Sequence, residues 1–225
     1  MSEKLPIEFD ASGLVTVVVQ DHLTGEVRMV AHASPEAVHS TVESGRATFW
    51  SRSRGELWEK GRTSGNAISV KRVLVDCDAD CLVYVSDPLG PSCHTGAPSC
   101  FFQALEGGKL AQKSEQPQTV IARLEGALEA RKASSAGASY TQSLYQAGAA
   151  AIGEKIREEA GELAEALTSE SDARVVSEAA DVVYHVMVGL RQRGIPWRDV
   201  LAALDGRSGK GGHEEKAERK AMPPV

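Results

Sequence analysis

The feature that most constrains the fold of this chain is a change in its hydrophobic periodicity near residue 105. Before that point, short runs of β-branched residues are separated by polar turns, which is typical of strands. After residue 118, apolar residues recur every three or four positions to about residue 205, which predicts amphipathic helices. The sequence therefore predicts a β-rich α+β domain over 1–105, a polar linker at 106–118 and an all-α bundle over 119–205.

Local signals in the first domain predict a hairpin, one helix and further strands. The runs Leu14–Val19 and Val27–Ala31 flank a polar turn, as the two strands of a hairpin would. Ser34 suits a helix N-cap, Pro35 the first helical position and Gly45 the end of the same helix. The further strands are predicted at 47–50, 68–75 and 81–86.

Composition excludes several classes of protein. The net charge of −6 and the pI near 5.6 argue against binding nucleic acid through a basic surface. The first apolar run is too short for a secretory signal, and the long uncharged stretch 133–153 is too polar to span a membrane. We therefore expect a cytoplasmic protein that binds neither nucleic acid nor membranes. The segment 206–225, rich in Gly, Lys and Glu, is predicted to be a disordered tail.

Three aspartates alternate with other residues between two of the predicted strands. If this segment continued a strand, Asp76, Asp78 and Asp80 would share one face and Cys77 would point to the other. Three carboxylates on one face repel one another unless a cation or a basic partner lies among them, so a metal site is one interpretation of the pattern. The alternative is an acidic surface turn without a ligand.

The four cysteines suggest a second metal site. They could form two disulfides, but a reducing compartment favours metal binding or simple burial. Three thiolates suit a zinc ion whose fourth position is left for water, and Cys77, Cys93 and Cys100 are the candidates. Cys81 lies in an apolar run and is expected to be a small buried hydrophobic residue, a role that stays open for the other three.

A basic, hydroxyl-rich segment over 51–66 is a candidate phosphate site in this acidic chain. It combines cationic side chains with small residues whose backbone N–H groups can bind phosphate oxygens. A solvated charged hairpin is the alternative interpretation. The candidate substrate-binding residues are Arg52, Arg54, Lys60, Thr63, Ser64 and Asn66.

Several motifs occur in an order that resembles the phosphoribosyl-AMP cyclohydrolase family over residues 10–103. The resemblance is carried by Phe49–Arg54, Leu57-Trp58, Lys60-Gly61, Thr63–Asn66, Asp76–Asp80, Gly90–Gly96 and Ser99–Phe101. It implies a zinc ion on the three candidate cysteines, shared across the interface of a homodimer. It also implies magnesium near the three aspartates.

Acidic residues border the apolar stripes of two predicted helices in the second domain. At about 100° per residue, the acids are Glu159 and Glu162 on one helix and Glu178 and Asp181 on the next, where His185 also lies beside the stripe. Acids in such positions are partly desolvated when the helices pack, and a divalent cation would relieve their repulsion. The alternative is a solvated acidic face with Lys155 and Arg157 as ion-pair partners.

Residues 119–205 resemble the phosphoribosyl-ATP pyrophosphohydrolase family, a member of the all-α nucleotide pyrophosphohydrolases. The motifs that carry this resemblance are Ser139–Thr141, Lys155–Glu162 and Glu178–His185. The resemblance implies Mg²⁺ bound by Glu159, Glu162, Glu178 and Asp181, with Glu158 as an accessory acid. Two such domains in this order resemble the fused bifunctional enzymes of histidine biosynthesis.

Together the resemblances imply two hydrolyses of small nucleotide substrates. The C-terminal domain would convert phosphoribosyl-ATP to phosphoribosyl-AMP and pyrophosphate, and the N-terminal domain would open the adenine ring at N1–C6 with zinc-activated water. The catalytic candidates are Glu158, Glu162 and His94. His94, beside Cys93, is a candidate for proton transfer or for a structural role. Lys155 is a candidate for binding substrate. The alternative is a house-cleaning nucleotide pyrophosphohydrolase whose zinc-stabilised N-terminal domain only binds a ligand.

Overall fold

The computed structural model describes residues 5–112, 119–134 and 139–207, and the chain divides between Thr119 and Val120 into two units. Most of the predicted disordered tail and residues 113–118 of the predicted linker lie outside the described residues. The first unit is strand-rich and the second is helical, so the predicted fold class of each domain is confirmed.

The first unit is organised around a sheet with the strand order β2-β1-β6-β5. Strands β1 and β6 are parallel, whereas β1–β2 and β5–β6 are antiparallel. Two separate hairpins, β3–β4 and β7–β8, complete the described strands. The elements are β1 (Val15–Asp21), β2 (Val27–Ala33), α1 (Pro35–Ser44), β3 (Thr48–Ser51), β4 (Glu56–Glu59), β5 (Ile68–Val75), β6 (Cys81–Pro88), β7 (Gln103–Glu106) and β8 (Lys109–Gln112).

The local signals around α1 are confirmed. The Ser34 side chain accepts a hydrogen bond from the Ala37 amide, Pro35 begins the helix, and Gly45 ends it in the left-handed conformation with φ 67°. Strand β1 alternates buried and half-buried residues because one of its faces covers the core. That core also contains α1 residues and the stacked rings of Phe49 and Tyr84.

The structure decides the conformation of the aspartate segment and adds strands that the sequence did not predict. The Asp76–Asp80 segment is the turn between β5 and β6, closed by the Asp76 amide donating to the Cys81 carbonyl at 3.2 Å. Ala79 has φ 64° in this turn, which an extended strand cannot accommodate. The pattern also missed β4 and β7–β8, and β8 falls within the segment predicted as linker. These hairpins are short and polar at their ends, so they lack the apolar alternation that identifies a half-buried strand.

The second unit contains the predicted helices, and the pair α3 and α4 dominates its packing. Its helices are α2 (Val120–Ala133), α3 (Tyr140–Ser169), α4 (Asp172–Gln192) and α5 (Trp197–Asp205). Leu128, Ile152, Met187 and Val188 are almost fully buried among these helices. Helix α3 is kinked at Gly148, whose φ of 84° and ψ of 179° divide it into two segments. Among the described residues, none of the helices is both long and apolar enough to cross a membrane.

Candidate active sites

A pocket of about 400 Å³ in the first unit brings together two segments that lie far apart in sequence. One is the loop after β4, and the other is the cysteine-containing loop after β6. Predicted site residues that line the pocket are Lys60, Thr63, Ser64, Asn66, Cys93, His94 and Cys100. Met29, Trp58, Gly61, Ser92 and Gly96 line it as well.

Backbone hydrogen bonds hold the cysteine-containing loop in place. Within the loop, the Cys93 amide donates to the Ala97 carbonyl at 3.0 Å. The loop is fastened to β2 because the Cys100 amide donates to the Arg28 carbonyl and the Ser99 hydroxyl donates to the Val27 carbonyl, both at 2.9 Å. The loop therefore cannot move away from β2 without breaking these bonds.

Close packing also fixes the loop after β4. Gly61 has φ 88°, and a Cβ there would lie 2.3 Å from the Ala67 nitrogen, so only glycine fits. Lys60 is buried beside it and donates to the Asn66 carbonyl at 3.3 Å. Burial lowers the pKa of the Lys60 ammonium, while the nearby thiols of Cys100 and Cys93 oppose this shift.

Cys93 and Cys100 interact with each other at the pocket wall. Burial disfavours ionisation of Cys93, but hydrogen bonds from the Thr95 hydroxyl (3.1 Å from Sγ) and the Thr95 amide outweigh it and lower the pKa of this thiol. Cys100 is exposed as a residue, yet partial burial of its sulfur and the charge of Cys93 raise its pKa to about 11. The Cys93 Sγ also lies 3.8 Å from Nδ1 of the exposed His94.

Three of the predicted zinc and phosphate ligands do not line this pocket. Cys77 is exposed on the β5–β6 turn, and no cysteine belongs to a group of three described ligand side chains whose donor atoms lie within 4.8 Å of one another. Arg52 and Arg54 are exposed at the tip of the β3–β4 hairpin. There, Arg54 pairs with Glu56 at 3.2 Å. An exposed ion pair at a hairpin tip agrees with the interpretation of this segment as a solvated charged hairpin.

Asp76, Asp78 and Asp80 converge although they do not lie on a strand. Each offers an oxygen within 4.8 Å of the others, because the turn curls the three side chains to one side. The charges of Asp78 and Asp76 raise the pKa of the Asp80 carboxyl, as expected for acids this close together. The proximity of the three carboxylates is what a metal site requires. All three are exposed, however, as the alternative of an acidic surface turn requires.

In the second unit, a cluster of carboxylates lies between α3 and α4. Oxygens of Glu159, Glu178 and Asp181 lie within 4.8 Å of one another; the first two residues are buried and the third is exposed. Burial raises the pKa of Glu178, Arg174 opposes the shift, and the carboxylates of Glu162 and Asp181 reinforce it. Glu162 lies near enough to Glu178 to influence its pKa, but it is not one of the three residues whose oxygens lie within 4.8 Å of one another.

Two basic residues flank this carboxylate cluster. Lys155 Nζ lies 2.9 Å from Glu158 and 3.1 Å from Glu159, and these carboxylates raise its pKa. Arg174 reaches Glu178 at 2.7 Å and Glu170 at 2.9 Å. The sequence offered the contact of Lys155 only within the solvated-face alternative, whose other partner, Arg157, pairs instead with Glu154. It did not indicate the contact of Arg174. The i,i+4 spacing of Arg174 and Glu178 could have indicated it.

The buried His185 also contacts the carboxylate cluster, and the sequence assigned it no role. Its Nδ1 lies 2.9 Å from the Asp181 carbonyl and 3.8 Å from a Glu159 oxygen, and its Nε2 lies 2.9 Å from the Tyr140 hydroxyl. Tyr140 belongs to the Ser139–Thr141 motif, which carried the resemblance without an assigned function. Only the packing of α3 on α4 brings these residues together.

The donor atoms present fit the metals that the resemblances imply. Carboxylate oxygens, two of them from buried residues, are the hard ligands that Mg²⁺ prefers, and their close approach leaves negative charge for a cation to neutralise. The sulfur atoms of Cys93 and Cys100, which both line the pocket, are ligands that suit zinc. One chain brings together two of the three predicted sulfur ligands.

Comparison with known proteins identifies both halves of the chain. Residues 29–102 match the phosphoribosyl-AMP cyclohydrolase family, and residues 121–208 match the phosphoribosyl-ATP pyrophosphohydrolase family. The chain is 42% identical over 199 residues to the histidine biosynthesis bifunctional protein HisIE of Photobacterium profundum, covering 88% of this chain and 94% of that protein. It is 39% identical over 220 residues to HisIE of Wolinella succinogenes (95% and 96% covered) and 39% identical over 216 residues to HisIE of Deinococcus radiodurans (94% and 96%).

Proposed function

The chain belongs to the HisIE family of histidine biosynthesis bifunctional proteins, and on that premise we propose how its residues divide the two reactions. It is a bifunctional hydrolase with a cyclohydrolase domain followed by a pyrophosphohydrolase domain, as the sequence predicted. Enzymes of this family are metal-dependent, and their substrates are nucleotides. The assignment of particular metals and residues that follows is our proposal.

We assign pyrophosphate release to the cluster of Glu159, Glu162, Glu178 and Asp181. The observation that supports this most is the convergence of Glu159, Glu178 and Asp181 from two helices, with the first two buried. They would hold Mg²⁺, which when bound neutralises triphosphate charge and orients water for attack. Lys155, which bridges Glu158 and Glu159 at the edge of the cluster, would turn its ammonium group to a phosphate oxygen.

Glu158 is suited to a different task in the same reaction. It is exposed and lies outside the group of mutually close carboxylates, but it shares Lys155 with Glu159. An exposed carboxylate one residue from a metal ligand can accept a proton from the attacking water. We therefore propose Glu158 as the accessory acid–base group, and Glu162 as both a ligand and a catalytic carboxylate.

We assign adenine ring opening to the pocket between the two loops of the first unit. Met29 and Trp58 provide apolar walls for the base, and Lys60 with the Thr63–Asn66 loop would bind the phosphates. Cys93 and Cys100 would hold zinc, which when bound brings the pKa of a coordinated water near 7. The exposed His94 at the pocket wall would move the proton.

The third zinc ligand, Cys77, would come from a second copy of the chain in a homodimer. This proposal is supported by the separation of Cys77 from the other two cysteines within one chain, and by its exposure on the β5–β6 turn. The neighbouring Asp76, Asp78 and Asp80 would bind Mg²⁺ close to that interface. Arg52 and Arg54 would then reach substrate only if the second copy brought them near a pocket. A cytoplasmic location is also proposed, supported by the biosynthetic role of the relatives.

The test is to measure both reactions separately in variants of the full chain. Glu162→Gln should lower pyrophosphate release from phosphoribosyl-ATP by orders of magnitude, because a ligand charge is lost. It should leave ring opening of supplied phosphoribosyl-AMP near normal. Cys93→Ser should give the reverse, so that phosphoribosyl-AMP accumulates.

Glu165→Gln is the matched control, since it makes the same chemical change on an exposed residue of α3 outside the cluster. It should leave both reactions unchanged. Ring opening is followed by ultraviolet absorbance and pyrophosphate by a coupled assay. If folded, zinc-loaded Glu162→Gln failed to open the ring of supplied phosphoribosyl-AMP, the assignment of two separate sites would be wrong.

A further inference from the structure

His185 is the buried polar side chain that contacts the carboxylate cluster from the interior of the second unit. Only 4% of the residue is exposed, and its ring packs edge-on against the rings of Tyr140 and Tyr184. Its two nitrogens face different groups. Nδ1 faces Asp181 and Glu159, whereas Nε2 faces the Tyr140 hydroxyl.

The partners of the ring determine which nitrogen carries its proton. The Asp181 carbonyl can only accept a hydrogen bond, so Nδ1 must donate to it at 2.9 Å. In the neutral ring, Nε2 is then an acceptor, and the Tyr140 hydroxyl donates to it at 2.9 Å. The Nδ1 atom also lies 3.8 Å from Glu159 Oε1. This distance is too long for a hydrogen bond, but a small movement of the Glu159 side chain would bring its oxygen within hydrogen-bonding distance.

The kink in α3 makes these contacts important for the geometry of the site. Gly148 separates the segment that carries Tyr140 from the segment that carries Glu159. His185, on α4, contacts both segments, so it joins the two parts of α3 across the kink. Its Nδ1 side contacts two of the clustered acidic residues, one through its backbone and one through its carboxylate.

We propose that His185 is a positioning residue for the divalent cation: its Nδ1–H donates to the Asp181 carbonyl, and the same edge of the ring, 3.8 Å from Glu159 Oε1, limits the positions open to the Glu159 carboxylate. The Tyr140 hydroxyl contacts the opposite edge of the ring, on the side away from the carboxylates. This proposal rests on the assignment of the carboxylate cluster as the cation site. Residues that orient metal ligands in this way commonly change metal affinity 10- to 100-fold when they are replaced.

The two edges of the ring can be tested separately. In His185→Asn, the amide nitrogen occupies the place of Nδ1, because both are the same number of bonds from the backbone. In His185→Gln, the amide group occupies the place of Nε2 and the donor toward Glu159 is lost. We expect His185→Gln to weaken Mn²⁺ binding about 10- to 100-fold, and His185→Asn and Tyr140→Phe to change it by less than about threefold.

Mn²⁺ binding to the zinc-loaded full chain is measured by electron paramagnetic resonance. The part of the bound Mn²⁺ that is lost in Glu178→Gln is the part bound at the carboxylate cluster. If Glu178→Gln removed no binding, the cation assignment itself would fail. If binding depended on Glu178 but His185→Gln left it unchanged, or if Tyr140→Phe weakened it equally, the positioning role would be refuted.

A spectroscopic measurement on the unaltered protein covers the case in which His185→Gln does not fold. In ¹⁵N nuclear magnetic resonance, we expect Nδ1 of His185 to be protonated and Nε2 to be unprotonated. Addition of Mg²⁺ should shift the Nδ1 resonance more than the Nε2 resonance. Protonation at Nε2 alone, or an Nδ1 resonance that does not respond to saturating Mg²⁺, would overturn the proposal.

Discussion

Gly90 offers a direct test of how precisely the cyclohydrolase pocket must be built. A Cβ added there would lie 2.7 Å from Oδ1 and 3.3 Å from Cγ of Asn66, which lines the pocket. Ordinary van der Waals contact begins near 3.4 Å, so the Asn66 oxygen must move by about 0.7 Å. Gly90 does not have a left-handed backbone conformation, so alanine can replace it without backbone strain. The clash with Asn66 is therefore the main consequence of Gly90→Ala.

The clash should affect activity more than stability. Both crowded atoms are at the free end of the Asn66 side chain, and rotating it off its preferred rotamer costs about 0.5–1.5 kcal/mol. On the proposal that Asn66 binds substrate, displacing its amide costs much more, since errors approaching 1 Å in positioning can reduce the rate about 100-fold. We expect Gly90→Ala to lower kcat/KM for ring opening of phosphoribosyl-AMP about 10- to 100-fold, and to leave pyrophosphate release unchanged.

A double-mutant cycle with Asn66→Ala isolates the cause. Alanine at 66 removes both crowded atoms and keeps only the Asn66 Cβ, which lies 3.7 Å from the new methyl group. Gly90→Ala should therefore reduce ring opening by less than about twofold in the Asn66→Ala background. Ring opening is measured by ultraviolet absorbance and stability by thermal unfolding. If Gly90→Ala had the same effect with and without Asn66, the reasoning from this contact would be refuted.

The remaining predictions concern the zinc and the helical core. Elemental analysis should find about one zinc per chain. The zinc should be lost in Cys77→Ser, Cys93→Ser and Cys100→Ser and kept in Cys81→Ser. Retention of zinc in all of the first three variants would exclude the proposed ligands. Leu128→Ala should lower the free energy of unfolding of the helical unit by about 2–5 kcal/mol, because Leu128 is fully buried and the change leaves a cavity. Chemical denaturation would measure this, and a loss below about 1 kcal/mol would mean that the site collapses around alanine.

Much of the fold could be predicted from the sequence because its signals are local. The change from strand to helix periodicity, the Ser34 and Gly45 caps, and the apolar stripes of α3 and α4 depend on residues within a few positions of each other. The stripes also predicted that Glu159 and Glu178 border a helix interface, and both are buried there. The ordered motifs identified the family, which the comparisons confirm.

The tertiary structure decided which residues come together. The aspartates converge through a turn, one of the two conformations that the sequence left open, because the β5–β6 register places the chain reversal at that point. The pocket forms because the loop fastened to β2 faces the loop after β4. The sequence of neither loop indicates how far apart the two loops lie in the folded chain.

The same limit explains why His185 and Arg174 had no assigned role. Tyr140 and His185 are 45 residues apart, and their hydrogen bond depends on the kink at Gly148 and on how α3 packs on α4. Periodicity identifies the face of a helix on which a residue lies, but it does not determine which atoms of another helix it meets. In this protein the sequence determined the elements, the acids at the helix interface and the chemistry of the family. Packing between distant segments determined the site geometry, because side-chain contacts depend on distances that local patterns do not encode.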